Sequence, residues 1–273
     1  MRSKSFKTLF IFIFVFSIMF TFPQKNIAAS ESSIRAINVL GQGVGTLLKG
    51  IIQGKVRNLK SAGKMLFWGS VAGYGFYESK KMIGKGNVTT GFILANIAAS
   101  VTENISSGNT PFSYLGYTLG PARIQIKTPF NRKDKTLLNI KVAPADIIGF
   151  FNAKRLSDRL TFKNGMISFE ANDYYRGTAR GWAYGVYPTV VTGVPEHVFF
   201  HESIHVVQYI QTMSVSPQPF CCPMDEGIDT QKLINISLLN FNYASLITKI
   251  SLNEEDPRLV NWHEVEAYAL AQE

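Results

Sequence analysis

The residues best suited to chemistry gather in one short stretch, His201-Glu202-Ser203-Ile204-His205, followed by Val206-Val207-Gln208. Side chains four apart on a helix leave the same face, so both imidazoles can reach a single metal ion. Glu202 then stands where it can polarise a metal-bound water, and Zn²⁺ is the ion that such a donor pair suits. Val198-Phe199-Phe200 before the motif and Ile204, Val206, Val207 and Ile210 within and after it make the helix mostly apolar. The two histidines are therefore expected in the interior, where polar groups need partners.

A catalytic zinc takes three protein ligands and keeps a fourth position open. The metzincin extension would need glycine at 208 and histidine at 211, and both positions are glutamine. A second polar segment follows late in the chain, Trp262-His263-Glu264-Val265-Glu266-Ala267-Tyr268, so that His201, His205 and His263 fall in these two segments and the fourth histidine, His197, lies four residues before the first. With HExxH followed by a later Glu-x-x-Ala, the chain resembles a gluzincin-type zinc metallopeptidase. The likeness covers about a quarter of the chain at most.

That resemblance implies His201, His205 and Glu264 as zinc ligands and Glu202 as general base, with Glu266 the rival third ligand. It also implies a donor for the oxyanion, for which Tyr209, His263 and Tyr268 are the candidates. Several gluzincins carry an Asp that orients a ligating histidine where this chain has Tyr268. Tyr184 and Tyr187, just before the motif, are expected to line a substrate groove, and an edge strand is expected to bind extended peptide by adding it to the sheet.

The elements that position these groups divide into regimes of different period. Residues 1–30 read as a signal peptide, with basic Arg2, Lys4 and Lys7, an apolar run from Thr8 to Phe22, and Ala28-Ala29-Ser30 at the expected cleavage site; an uncleaved membrane anchor is the alternative. Residues 31–107 form a glycine-rich helical region with Gly41/Gly45, Gly50/Gly54 and Gly69/Gly73 each four apart, as where helices approach closely. Lys49, Lys55, Arg57, Lys60, Lys64 and Lys80-Lys81 interrupt every apolar run there, leaving a helical layer packed on the rest, a layer at a membrane surface, or a soluble hairpin. Gly41-Gln42-Gly43-Val44-Gly45 lacks the strand that a nucleotide-binding turn follows.

Ser106–Pro121 reads as the boundary, and 108–273 as a zincin-like domain. Arg123–Lys127 and Leu138–Val142 alternate as strands with one apolar face. A hairpin is expected at Arg159–Lys163 and Met166–Glu170 around Asn164-Gly165, and a short helix at Ala145–Asn152. Trp182–Tyr187 and Thr189–Val191 add strand signal around Pro188, and Asp229–Leu252 is expected to be helical. The fold class is α+β: a helical region, a small antiparallel sheet, the HExxH helix and a C-terminal ligand helix.

Removing residues 1–30 lowers the formal charge from +9 to +5, which does not argue for nucleic acid. Cys221 and Cys222 are neighbours and cannot staple distant segments; thiols, a strained disulfide or an intermolecular link remain. The expectation is an exported zinc peptidase of the periplasm, cell envelope or extracellular space, acting on a peptide or protein substrate and in contact with a membrane surface or envelope. The alternative is a non-catalytic envelope scaffold with a degenerate zincin domain.

Overall fold

A computed structural model describes residues 30–131, 135–172, 180–216, 234–237 and 262–271. The expected signal peptide or anchor and both cysteines lie outside the described residues.

Three long helices come first, α1 (Glu31–Ile52), α2 (Leu59–Gly84) and α3 (Val88–Ser106). Side chains cap the free amides at the first two N-termini: Ser30 accepts from the Ser33 amide, and Asn58 and Ser61 form a reciprocal capping box. Gly69 and Gly73 of α2 do form a groove, since a methyl on Gly73 would stand 2.8 Å from Val39 Cα. Gly69 lies against Thr46 and Gly43 of α1 and Gly73 against Asn38 and Val39, while Gly50, one heptad on from Gly43 and so on the same face, lies against Met65. Gly41 faces open space, and Gly54 ends the helix region at φ +67°. The expected Gly41/Gly45 and Gly50/Gly54 grooves are thus replaced by a stripe that the seven-residue spacing aligns.

Beyond Ser106 the chain builds two sheets, not one. The first runs β1 (Tyr114–Leu119), β2 (Ala122–Lys127), β3 (Leu138–Val142), β8 (Ile234–Ser237), with β8 parallel to β3. The second has the order β4 (Arg159–Lys163), β5 (Met166–Ala171), β7 (Tyr187–Val191), β6 (Gly181–Tyr184), with β5 and β7 parallel. The expected antiparallel sheet is therefore corrected to two sheets that each hold a parallel pair. In the second, the β6–β7 hairpin enters the sheet with its later strand innermost.

β1 lies inside the stretch expected to be a connection, and its burial explains why. Tyr114, Gly116 and Thr118 face inward, while Leu115 and Leu119 face out. On β2 it is Arg123 and Gln125 that are buried and Ile126 that is exposed, the reverse of an apolar inner face. The reason is α3, which presents Asn96, Ser100 and Glu103 to this sheet. Arg123 Nε donates to Glu103 Oε2 at 2.8 Å and Arg123 Nη1 to Asn96 Oδ1 at 3.0 Å. The β1 amides of Gly116 and Thr118 donate to Ser100 Oγ and Asn96 Oδ1, so helix side chains cover this sheet edge.

The hairpin turn at Asn164-Gly165 has φ of 54° and 83°, the left-handed pair that this dipeptide accepts. Pro188 sits within β7 opposite Ala183, one pair in from the turn at Gly185-Val186, where no ladder hydrogen bond is due from its nitrogen. The short helix is α4 (Pro144–Arg155). The strand β8 replaces part of the helix expected over Asp229–Leu252, the remainder of which lies outside the described residues.

The HExxH motif lies on α5 (Glu196–Val215), which packs against α1, α2, α3, β6, β7 and the closing helix α6 (Trp262–Ala271). One core joins these parts: Phe76, Ile83 and Phe92 from the helical layer, Phe169 and Tyr187 from the second sheet, and Phe199, Ile204, Val207 and Leu270 from α5 and α6. It crosses the expected boundary near residue 107. Each of the fully buried phenylalanines contributes about 2–3 kcal/mol by burial, so neither region's core is complete without the other. No helix among the described residues is long and apolar enough to cross a membrane.

Candidate metal centre

His201 and His205 leave α5 one turn apart, and their rings meet edge to face with centroids 4.8 Å apart. Their Nε2 atoms lie 3.1 Å from each other. Glu264, from the first turn of α6, completes a triangle: Oε2 is 3.2 Å from His201 Nε2 and Oε1 is 3.3 Å from His205 Nε2. Four-coordinate zinc with bonds of roughly 2.0–2.1 Å holds tetrahedral ligands about 3.3 Å apart, so these donors have both the chemistry and the spacing for one ion. His201, His205 and Glu264 are the metal-capable group found among the described residues.

α6 is brought to this position by packing on α2. A methyl on Gly84 would overlap the Leu270 carbonyl oxygen and stand 2.6 Å from its carbon, so only glycine lets the helices approach so closely. Ala267, fully buried, is the small residue on the same face of α6.

Glu266 does not face the His201–His205–Glu264 cluster. Its Oε1 accepts from Lys80 Nζ at 2.6 Å and Asn38 Nδ2 at 2.5 Å, and its Oε2 from Gln208 Nε2 at 2.9 Å. These donors hold it ionised despite full burial. The rival-ligand expectation for Glu266 is thereby corrected: residues two apart on a helix diverge by about 200°, and the Lys80 ammonium takes the second carboxylate.

Gln208, which was not nominated from the sequence, contacts the candidate ligand His205. Its Oε1 lies 2.7 Å from His205 Nδ1, and its Nε2 donates to the His263 carbonyl at 2.9 Å as well as to Glu266. The contact behind the His205 ring thus comes from position 208 and not from position 268. A signal was present: 208 lies three residues past His205 on the same helix, and a glutamine in so apolar a segment needs partners. Tyr268 instead packs its ring on His201, centroids 4.6 Å apart.

Among the remaining candidates, Glu202 is buried beside Gly181 of β6, where an added methyl would stand 2.9 Å from Glu202 Cγ and 3.0 Å from Oε1. Tyr209 is turned toward Asp146, whose carboxyl receives its hydrogen bond, so it is not placed as an oxyanion donor. Tyr187 is fully buried against Phe150 and Phe169, which corrects the expectation that it lines a groove; Tyr184 also packs on the core. His197 is exposed on the first turn of α5, away from the other two.

Burial pushes His205 down, but the hydrogen bond it donates to Glu264 and the charges of Glu202 and Glu264 outweigh this and lift the imidazole to about 9. Burial pushes Glu264 up, yet its hydrogen bonds to both histidines hold it well below the usual carboxylate range. His263 is pushed down to about 4 by burial and is neutral at pH 7. At the far end of α5 the buried Lys49 Nζ donates to the Ser214 carbonyl at 2.7 Å, in the last turn where a cation suits the helix dipole, and burial lowers it to about 7.

Comparison of the chain with protein-family models, curated proteins and solved structures gives no match. The functional reading therefore rests on the site.

Proposed function

We propose that the chain is a zinc-dependent peptidase, with His201, His205 and Glu264 as ligands and Glu202 as general base. The observation that carries this is the convergence of two imidazole nitrogens and a carboxylate at 3.1–3.3 Å, beside a second buried carboxylate on the same helix. When bound, zinc supplies Lewis acidity that acidifies water and polarises a carbonyl. Glu202 accepts the proton of the attacking water and delivers it to the departing amine, so that one water and one peptide bond become a carboxylate and an amine. Gln208 holds the His205 ring, and Tyr268 holds the His201 ring.

The edge strand β6 adds support for an extended peptide substrate. It pairs with β7 alone among the described strands, and it starts at Gly181 against Glu202. A peptide adding to that edge would pass the general base. Leu59 and Phe67 stand exposed beside Lys60 and Lys64 on α2, which suits contact with an anionic membrane surface or envelope. Export is part of the same proposal and rests on the N-terminal sequence.

The test is cleavage of a quenched fluorescent peptide library by the mature chain, with and without a chelator. Zinc-dependent cleavage that Glu202→Gln abolishes is the expected result. A zinc-loaded, folded protein that cleaves nothing, with Glu202→Gln indistinguishable from it, would favour the non-catalytic scaffold.

A further inference from the structure

His205 can offer Nε2 to a metal only if its remaining ring proton sits on Nδ1, and a neutral imidazole has little intrinsic preference between its nitrogens. The chain of hydrogen bonds behind the ring settles the matter by elimination. It begins at Lys80 in the glycine-rich layer, a fully buried ammonium that can only donate. Its three protons have three acceptors: Asn38 Oδ1 at 2.6 Å, Glu266 Oε1 at 2.6 Å and Gln211 Oε1 at 3.0 Å. Asn38 accepts through Oδ1, so its amide nitrogen is the group that donates to the Ile34 carbonyl and to Glu266.

Glu266, ionised, can only accept, and so can the His263 carbonyl. Both lie 2.9 Å from Gln208 Nε2 and take its two hydrogens. The amide of Gln208 cannot flip without setting its oxygen against a carboxylate and a carbonyl. Its Oε1 must then be the atom facing His205 Nδ1, which must carry the proton.

We infer that Lys80 and Glu266 are positioning residues for the metal centre: their buried ion pair locks the Gln208 amide in the one orientation that presents the His205 Nε2 lone pair to His201 and Glu264. This rests on the zinc reading above and extends it. It gives the N-terminal helical layer a part in the site across 186 residues of sequence. A buried ion pair is weak evidence of stabilisation, because desolvation offsets its attraction, whereas fixing one arrangement among several is a role such pairs are known to fill.

The test compares zinc dissociation constants, by chelator competition on the full mature chain, for wild type, the charge-neutral pair Lys80→Met/Glu266→Gln, and that pair combined with Gln208→Glu. Without the ion pair the Gln208 amide can turn its nitrogen toward His205, and zinc affinity falls about 10- to 100-fold, with an altered visible spectrum in the Co²⁺-substituted form. Gln208→Glu restores affinity to within a few-fold of wild type, since a carboxylate presents an acceptor either way round. A role confined to fold stability would not be rescued by that third change. Gln208→Met, which leaves the ion pair intact, must show the same loss. Wild-type affinity in either the neutral pair or Gln208→Met, or loss without rescue by Gln208→Glu, overturns the inference while leaving the zinc reading in place. A wild-type chain that binds no zinc overturns both.

Discussion

The close helix contact behind the proposed metal centre yields a sharp prediction. Gly84 closes α2 under the backbone of Leu270 and Ala271 at the end of α6. In Gly84→Ala the new methyl would overlap the Leu270 carbonyl oxygen and stand 2.6 Å from its carbon, where ordinary contact begins at 3.4 Å, so α6 must withdraw by roughly 1.5 Å. The neighbouring atoms are backbone on both sides and cannot rotate away. Overpacking of this kind costs about 1–3 kcal/mol, partly offset by alanine's better helix propensity, worth about 1 kcal/mol. Metal sites tolerate about 0.2 Å in ligand distance, and a rigid helix carries the shift to Glu264, so the loss in zinc affinity exceeds the loss in stability. The assays are a thermal melt without metal and a chelator competition with zinc. Gly84→Ala should melt a few degrees lower and bind zinc at least 10-fold more weakly. Gly63→Ala, on the same helix with open space around it, should bind zinc as wild type and melt no lower. Unchanged zinc affinity in folded Gly84→Ala would refute the idea that α2 sets the position of Glu264.

Other expectations follow from particular contacts. Gly181→Ala presses on Glu202 without touching the ligand triangle, so zinc content should stay at wild-type level while peptidase turnover falls about 10- to 100-fold; parallel loss of both would show that β6 supports the ligands instead. Asp146 is buried, and burial raises its carboxyl to about 7. Keeping it neutral costs nothing below the unfolded value near 4, costs progressively more up to pH 7, and is constant above that. Asp146→Asn should therefore gain about 2–4 kcal/mol relative to wild type between pH 4 and pH 8 in urea melts, and a pH-independent difference would contradict this. Glu103→Ala strands the buried Arg123 guanidinium and should cost about 3–5 kcal/mol in the same assay, with Asn96→Ala milder. A cost under 1 kcal/mol would mean that water reaches Arg123.

Much of this was legible in the residues. The 3.6-residue period of α5, the four-residue spacing of its histidines and the Asn-Gly turn each encode local geometry, and local geometry survives into the fold. Glu264 could be nominated over Glu266 only by likeness, because both sit on one short helix; what separates them is Lys80, 186 residues away. The first sheet misled for a related reason. Its inner face carries Arg123, Gln125 and Thr118 because α3 supplies Glu103, Asn96 and Ser100 as partners, and alternation of apolar residues points the opposite way when the layer beneath is polar. The sheet orders were out of reach as well, since parallel pairing of β5 with β7 depends on a crossover that leaves no turn signature. Gln208 entered the sequence reading only as a departure from the metzincin extension, and only the His263 carbonyl and Glu266 reveal which way its amide must point.

The most direct test of the proposed metal centre is elemental analysis of the purified protein beside Glu202→Gln and Glu264→Ala. The proposed ligand set requires about one zinc per chain in wild type and in Glu202→Gln, and its loss in Glu264→Ala. No zinc in wild type after loading, or full zinc in Glu264→Ala, would contradict the assignment of His201, His205 and Glu264 as its ligands.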